Sequence, residues 1–294
     1  MSSYRFCRTD DVSLLVDALN RCWSPYFPDE PPMTPAAFKR SIRDLQVWCS
    51  SCMVAFSGPD PIGVLIGAKR PGGTLIHTIA VHPDHCRQGH GRHLLTSLSS
   101  KLAILGPPSM VAEVPETLTA ACALFSACGY VQEAVLTDYV LHDVGWNFSS
   151  ADAGRFVFPA TIDDLDANDL LPPSPVASAR QVHPQVCWER SVETLTARKD
   201  DIAGLAVASD ERIEACVLFV DRGDGQTEIL SLRSFIEDGE AGLAQLLSHL
   251  RAQEPGTLRF PKVHPAEISQ EFLETLGFRP TGVHRSFAGR ARSE

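Results

Sequence analysis

The sequence predicts an α/β (α+β) protein made of two copies of one unit, each a mixed, twisted sheet with helices on both faces. Three observations lead to this prediction. Short β-rich runs alternate with helical segments along the whole chain. The same order of segments occurs twice, with Thr74 matching Thr227 and Gly129 matching Gly277 at offsets of 153 and 148 residues. The 294 residues and the 44% hydrophobic content suffice for two cores.

The first copy is predicted to run strand, two helices, three strands, helix, strand, helix and strand. Turns containing Gly or Pro separate these elements. Thr34 followed by Pro35 has the pattern of an N-cap and a first helical turn. The predicted strands are 4–7, 47–56, 62–68, 74–81, 111–114 and 131–142, and the predicted helices are 10–23, 35–45, 91–105 and 117–127.

The second copy repeats this plan less clearly. Its predicted strands are 155–159, 202–209, 213–221, 227–232 and 258–263, and its predicted helices are 188–198, 242–253 and 267–276. Gly, Ser and Asn cluster in 143–154, which is the predicted joint. The sequence therefore predicts an N-terminal domain at 1–145 and a C-terminal domain at 154–294.

Charge and cysteine content narrow the class of protein. The net charge of −10 argues against nucleic acid as the main partner, because phosphate contacts need a basic surface. Residues 1–8 lack the apolar run of a secretory signal, and no stretch approaches the length of a membrane span. The nine scattered cysteines indicate reduced thiols in a cytoplasmic protein. Cys49 and Cys52 are expected on opposite faces of a strand, which argues against a redox pair.

The segment 76–95 carries the most informative chemistry, because a strand leads into a glycine-containing loop that opens directly into a helix. Gly89 and Gly91 allow the backbone to approach a ligand closely. The free N–H groups and the dipole at the helix start then favour a phosphate group. A dinucleotide-binding motif would need a third glycine where Leu94 stands, and the lysine motif of a P-loop is absent.

The whole string resembles the GNAT superfamily of N-acetyltransferases. The resemblance rests on Val81-His82-Pro83, on the loop that follows and on the late helix that ends at Gly129-Tyr130. It implies a mostly antiparallel sheet and acetyl-CoA as co-substrate, with the strand binding the pantetheine arm and the loop amides binding the pyrophosphate. The implied cofactor-binding residues are Ile79, Ala80, Val81, Cys86, Arg87, Gln88, Gly89, His90, Gly91 and Arg92. Cys86 departs from the Arg or Gln that is usual at the first loop position.

Three side chains are candidates for the base that accepts the proton of an amine. His77 lies on the strand before the loop, where family members often place an acidic base, and shares strand parity with Ile79. The alternative interpretation of His77 is a histidine packed between strands. Glu113 and Tyr139 are the other candidates. Phe125 stands where many family members carry the tyrosine that protonates the departing thiolate.

Four histidines surround the loop and raise the question of a metal site. His82, His85, His90 and His93, with Cys86 nearby, have ligand-type spacings. A metal ion there would compete with the pyrophosphate, so the sequence predicts no metal.

The second copy has carboxylates where the first has its phosphate loop. Gly239 and Gly242 are present, but Glu237, Asp238 and Glu240 surround them and would repel a phosphate. This predicts a degenerate GNAT-like copy that completes or covers the acceptor cleft. Tandem members of the superfamily, including mycothiol-synthase-like enzymes, share the layout.

The predicted function is direct transfer of an acetyl group from acetyl-CoA to the primary amine of a small-molecule acceptor. Two alternatives stay open. One is a protein or peptide N-acetyltransferase, and the other is a non-catalytic acyl-CoA-binding module, which Phe125 favours. No nucleic-acid or membrane partner is expected. The chain is expected to be a monomer or a homodimer.

Overall fold

The computed structural model describes residues 2–142, 156–171, 186–223, 225–237 and 240–292. The chain divides into two compact units, of which unit 1 comprises Met1–Ala134 with Arg285–Glu294 and unit 2 comprises Val135–His284. The domain bounds 1–145 and 154–294 stay a prediction, and the residues from Arg285 onward group with unit 1. The joint predicted at 143–154 lies outside the described residues.

Unit 1 contains a mostly antiparallel sheet with helices on both faces. Its strands are β1 (Ser2–Phe6), β2 (Met53–Ser57), β3 (Asp60–Arg70), β4 (Gly73–Val81) and β5 (Ser109–Pro115), and its helices are α1 (Val12–Trp23), α2 (Pro35–Leu45), α3 (His90–Leu105) and α4 (Thr119–Ala127). Strands β1 to β4 pair antiparallel in chain order, and β5 joins β4 in parallel. Helices α3 and α4 share one core cluster with the sheet, whereas α1 packs on β3 and β4 without contributing to that cluster.

Unit 2 repeats the same order of strands. Its strands are β6 (Val131–Leu141, in unit 2 from Val135), β7 (Phe156–Pro159), β8 (Ala203–Ala208), β9 (Ile213–Gly223), β10 (Gln226–Ser234), β11 (Thr257–Val263) and the first part of β12 (Arg279–Arg290), and its helices are α5 (Ile162–Ala167), α6 (Val192–Ala197), α7 (Glu240–Gln253) and α8 (Gln270–Thr275). Strands β7 to β10 pair antiparallel, β11 joins β10 in parallel, and β6 pairs antiparallel with β11. The predicted fold class is confirmed. None of the described helices is long and apolar enough to cross a membrane.

Strand β12 is missing from the sequence prediction. Its glycines disfavour a strand in isolation, yet each is needed for a close approach. A Cβ on Gly282 would lie 2.6 Å from Oδ2 of Asp138, and a Cβ on Gly289 would lie 2.8 Å from Cδ1 of Tyr130. These neighbours are distant in the chain, so local sequence gives no sign of them.

The predicted strand 47–56 is wrong in its first half. Cys49–Ser51 form a 3₁₀ turn, and β2 begins only at Met53. A Cβ on Gly67 of β3 would lie 2.5 Å from the carbonyl oxygen of Ser51, so the glycine allows the turn to pack onto the strand backbone. Cys49 and Cys52 therefore do not flank a strand. Both are buried free thiols, and burial raises the pKa of each.

The predicted helix 188–198 is two elements. Trp188–Arg190 form a 3₁₀ turn, Ser191 is extended, and α6 follows. Helix α5 is absent from the sequence prediction although it has a sequence signal. Thr161 accepts a hydrogen bond from the Asp164 amide while the Asp164 carboxylate accepts one from the Thr161 amide, which makes a capping box.

Candidate functional site

Strands β4 and β5 separate soon after they begin. They pair at Thr74 with Met110 and at Leu75 with Val111, and the pairing stops there. On its other edge β4 stays paired with β3 as far as Val81, which lies opposite Gly63. The far part of β4 therefore offers a strand edge that β5 does not engage. An open edge of this kind binds an extended ligand in the manner of an added strand.

A β-bulge interrupts β4 at His77. Ile76 pairs with Gly67 and Thr78 pairs with Ile66, so His77 is the extra residue. Ile76 and Ile79 are three residues apart but pack into the same core cluster. The strict alternation on which the sequence argument for His77 relied is therefore broken within this stretch. A bulge next to the open edge can re-aim a side chain, and His77 is half-buried there.

The loop after β4 turns sharply before α3. Pro83–His85 form a 3₁₀ turn, and then Arg87 has φ +64° and Gly89 has φ +88°. The first helical hydrogen bond runs from the His93 amide to the Gly89 carbonyl. The amides just before His93 have no acceptor within the helix, as at every helix start. This geometry fits the predicted phosphate-binding loop.

The two loop glycines have different roles. A Cβ on Gly89 would meet no atom within 4 Å, so its left-handed backbone is what favours glycine there. A Cβ on Gly91 would lie 3.0 Å from Cδ2 of Leu124 on α4. The sequence assigned both glycines to ligand approach, whereas the structure also places Gly91 in the packing of α3 against α4.

Tyr26 is a site residue that the sequence argument missed. Its hydroxyl donates a 2.7 Å hydrogen bond to the Val81 carbonyl and lies 3.1 Å from Sγ of Cys86. Burial, together with the hydrogen bond to Cys86, raises the pKa of Tyr26, so the hydroxyl keeps its proton. Cys86 is also the exposed one of the nine cysteines. Nothing in the sequence between α1 and α2 points to this tyrosine.

The histidines of the loop are joined through Tyr4 on β1. The Tyr4 hydroxyl lies 2.6 Å from Nδ1 of His90, and its ring centroid is 3.8 Å from that of His93. Burial first, and then the neighbouring His85 and His93, lower the pKa of His90. No three His, Cys, Asp or Glu side chains in the described part of the chain are grouped so as to hold a metal ion.

The candidate bases occupy different environments. His77 on β4 and Glu113 on β5 are both half-buried, on the two strands that separate. Tyr139 belongs to unit 2, is 3% exposed and lies in the core cluster of that unit, where burial raises the pKa of its hydroxyl. The structure thus brings His77 and Glu113 to neighbouring strands and places Tyr139 in a hydrophobic core.

Phe125, the residue that stands in the place of the tyrosine acid, is part of an aromatic cluster in unit 1. It is 2% exposed, stacks on Phe287 of β12 with centroids 5.6 Å apart and meets the edge of Tyr130 at 5.2 Å. Its role in the structure is packing, and its side chain has no proton to donate.

In unit 2 the corresponding gap, between β10 and β11, is filled by side chains of unit 2. Strands β10 and β11 pair only from Gln226–Thr257 to Glu228–Arg259. Beyond that point the Arg190 guanidinium donates to the Lys262 carbonyl at 3.0 Å and to the Leu230 carbonyl at 3.4 Å. Leu230 is the residue that the repeat offset matches to His77.

Glu267 holds the arginine in place. Its two oxygens accept hydrogen bonds of 2.7 and 2.6 Å from the two terminal nitrogens of Arg190, and the side chains are 1% and 4% exposed. Burial alone would lower the pKa of Arg190, but the Glu267 carboxylate outweighs it and the net shift is upward. A pantetheine arm placed here would have to displace a buried ion pair. The acidic loop was the reason for predicting that the second copy is degenerate. Two of its residues, Asp238 and Gly239, lie outside the described residues.

Strands β4 and β5, the glycine loop and the start of α3 have the arrangement that the resemblance to N-acetyltransferases implies. The sequence profile of the acetyltransferase (GNAT) family matches residues 13–130. The matched segment lies within unit 1, so the sequence similarity to GNAT acetyltransferases is a property of unit 1. No curated protein sequence matches the chain significantly.

Solved structures share the fold over nearly the whole chain. A tandem GNAT protein from the clavulanic acid biosynthesis pathway is 15% identical, with a TM-score of 0.66 over 100% of both chains. A GCN5-related N-acetyltransferase from Sphaerobacter thermophilus is 12% identical, with a TM-score of 0.66 over 99% of this chain and 96% of that one. One from Anabaena variabilis is 11% identical, with a TM-score of 0.65 over 99% and 73%. At these identities the likeness shows the fold alone.

Proposed function

We propose that this protein transfers the acetyl group of acetyl-CoA to the primary amine of a small-molecule acceptor, at the site in unit 1. The observation that carries the proposal is the early separation of β4 from β5, with the glycine loop and the start of α3 directly beyond it. The family match over residues 13–130 supports acyl transfer in general. The acetyl donor, the amine acceptor, a cytoplasmic location and a monomeric or homodimeric state are parts of the proposal.

Donor binding is assigned to the backbone of unit 1. The open edge at Ile79 and Ala80 would pair with the pantetheine amides, and the loop from Cys86 to the start of α3 would bind the pyrophosphate. Arg87 and Arg92 are the cations nearest in sequence to these amides and would add positive charge. When bound, acetyl-CoA supplies the acetyl group as a thioester, which an amine can attack directly.

His77 is the proposed base. Its position at the bulge, beside the open edge of β4, is where a side chain can be turned toward a ligand on that edge. The imidazole would take the proton of the attacking amine. Glu113 on β5 faces the same gap between strands in the proposal and is the second candidate.

A non-catalytic acyl-CoA-binding protein is the alternative, and the burial of Phe125 favours it. Without a hydroxyl at this position the departing thiolate lacks the usual proton donor. A slow enzyme and a binding module both fit this feature, so catalysis has to be measured and not inferred from donor binding.

Single-turnover acetylation of an amine panel, followed by thiol release and by product mass, tests the proposal. We expect the wild type to acetylate at least one primary amine and His77→Ala to lower the rate by about 100-fold or more. His249→Ala, at an exposed position on α7, is the matched control and should leave the rate unchanged. Binding of acetyl-CoA with no acetylated product for any amine would contradict the enzyme and support the binding module.

A further inference from the structure

Unit 2 contains a cavity of about 160 Å³ that the proposed function does not use. It lies on the face of β9 and β10 that α5 and α6 cover. Leu165, Leu195 and Leu218 form an apolar wall, and Arg190, Ser231 and Arg233 provide polar groups. Cavities of about 150 Å³ accept a ligand the size of benzene, so this one has room for a small organic molecule.

One polar atom among the described lining residues, on Arg190, lacks a hydrogen-bond partner. The Nε atom of Arg190 is buried and has no hydrogen-bond partner among the residues that the structure describes. Buried guanidinium N–H groups are normally paired, so this unpaired donor is an exception among the polar atoms of the lining residues. Ser231, another lining residue, is a buried serine on β10.

The charge of the lining favours an anion. The described lining contains two guanidinium groups, those of Arg190 and Arg233, and one carboxylate, that of Glu267. Both oxygens of Glu267 are already engaged by Arg190. Arg233 donates to the Leu170 carbonyl at 3.0 Å and lies 5.4 Å from the Phe235 ring. No carboxylate in the described ranges pairs with Arg233, so its positive charge is available to a ligand.

We propose that this cavity binds a small monocarboxylate with a compact apolar group. The carboxylate would accept hydrogen bonds from Arg233 and Ser231, and the apolar group would lie against the leucine wall. Guanidinium and carboxylate groups match in geometry as well as in charge. An amine of the same shape would meet an arginine without a free acid beside it and would be rejected.

Isothermal titration with benzoate, benzyl alcohol and benzylamine tests charge and shape together. We expect the wild type to bind one benzoate per chain, to bind benzyl alcohol more weakly and to bind no benzylamine. Arg233→Gln should weaken benzoate binding by about tenfold or more and leave benzyl alcohol binding nearly unchanged. Arg212→Gln, at an exposed position outside the cavity, is the matched control.

Ser231→Leu is a second variant that fills the cavity and should weaken both benzoate and benzyl alcohol. Circular dichroism and thermal unfolding establish that each variant is folded. The proposal is overturned if no carboxylate binds the wild type, if benzylamine binds as tightly as benzoate, or if benzoate binding survives both substitutions. Acetyl-CoA titration of the same samples measures the proposed donor site of unit 1. A failure of donor binding can therefore be distinguished from a failure of benzoate binding in unit 2.

Discussion

Arg190 illustrates how a single side chain can close a binding gap. Its guanidinium group satisfies two strand carbonyls that a bound ligand would otherwise engage, and Glu267 neutralises its charge. A buried charge without its partner is strongly unfavourable, because the interior cannot solvate it. The gap in unit 2 is therefore stabilised in a closed form by residues of unit 2 itself.

Replacing Glu267 with Ala should lower the free energy of unfolding by about 3–5 kcal/mol, since the Arg190 charge would be left buried and unpaired. Urea denaturation at neutral pH measures this. Glu228→Ala is the matched control, because its partner Arg222 is about half exposed, and the loss there should stay below about 1 kcal/mol. Equal losses in the free energy of unfolding would show that breaking the buried pair costs no more than breaking the exposed one.

Asp138 couples the stability of unit 2 to pH. Burial would raise its pKa, but the hydrogen bonds from His284 at 2.9 Å and from the Lys262 amide at 2.8 Å outweigh burial and hold the pKa below the ordinary value. A carboxyl group with a lowered pKa in the folded state stabilises it above the unfolded pKa of about 3.9. That contribution is lost as the pH falls through the folded pKa.

Asp138→Asn should therefore cost stability at pH 7 and at pH 5, and the difference from the wild type should shrink below about pH 4. Urea midpoints at pH 7, 5 and 3 measure the effect. Asp60→Asn is the control, because its pair with Arg21 is exposed and should give a small difference throughout. A difference that is larger at pH 3 than at pH 5 would contradict the assigned sign.

At the scale of elements, the start of α3 serves two purposes at once. Gly89 provides the left-handed turn, and Gly91 lets the helix approach Leu124 on α4. A side chain at position 91 would press on Leu124, and overpacking of this kind costs about 1–3 kcal/mol. The geometry of the loop thus depends on the packing of the helix behind it.

Gly91→Ala should lower both the thermal stability and the affinity for acetyl-CoA, because the start of α3 has to shift. Adding Leu124→Ala should restore part of both, since it removes the atom that the new Cβ meets. Thermal unfolding and titration of the single and double variants form the cycle. Purely additive losses would show that the two positions do not interact.

The elements that the sequence predicted well are those defined locally. Helix α2 begins where Thr34 caps it, and the strand–loop–helix around Gly89 has local signals that agree. The 3₁₀ turn at Cys49–Ser51 and strand β12 depend on contacts with residues far away in the chain. Periodicity therefore predicted a strand at the turn and gave no sign of β12. Tyr26 at the site was missed for the same reason, because its partners are 55 and 60 residues away.

At the scale of the whole molecule, the two units have the same order of strands but differ at the gap between their two parallel strands. The gap in unit 1 is bounded by a glycine loop and a helix start, and the gap in unit 2 is filled by an ion pair. This difference leaves the chain with one expected donor site. The repeat itself was visible from two matching residue pairs, but the filling of the second gap was not, because Arg190 and Glu267 are 77 residues apart.

The stoichiometry of acetyl-CoA binding tests this view most directly. Isothermal titration should give one acetyl-CoA per chain for the wild type. Gly89→Val, which forces a β-branched residue into a left-handed turn, should abolish binding, whereas Gly223→Val, also at a left-handed glycine but in unit 2, should leave it intact. Two acetyl-CoA molecules per chain, or unchanged affinity in Gly89→Val, would contradict a single donor site in unit 1.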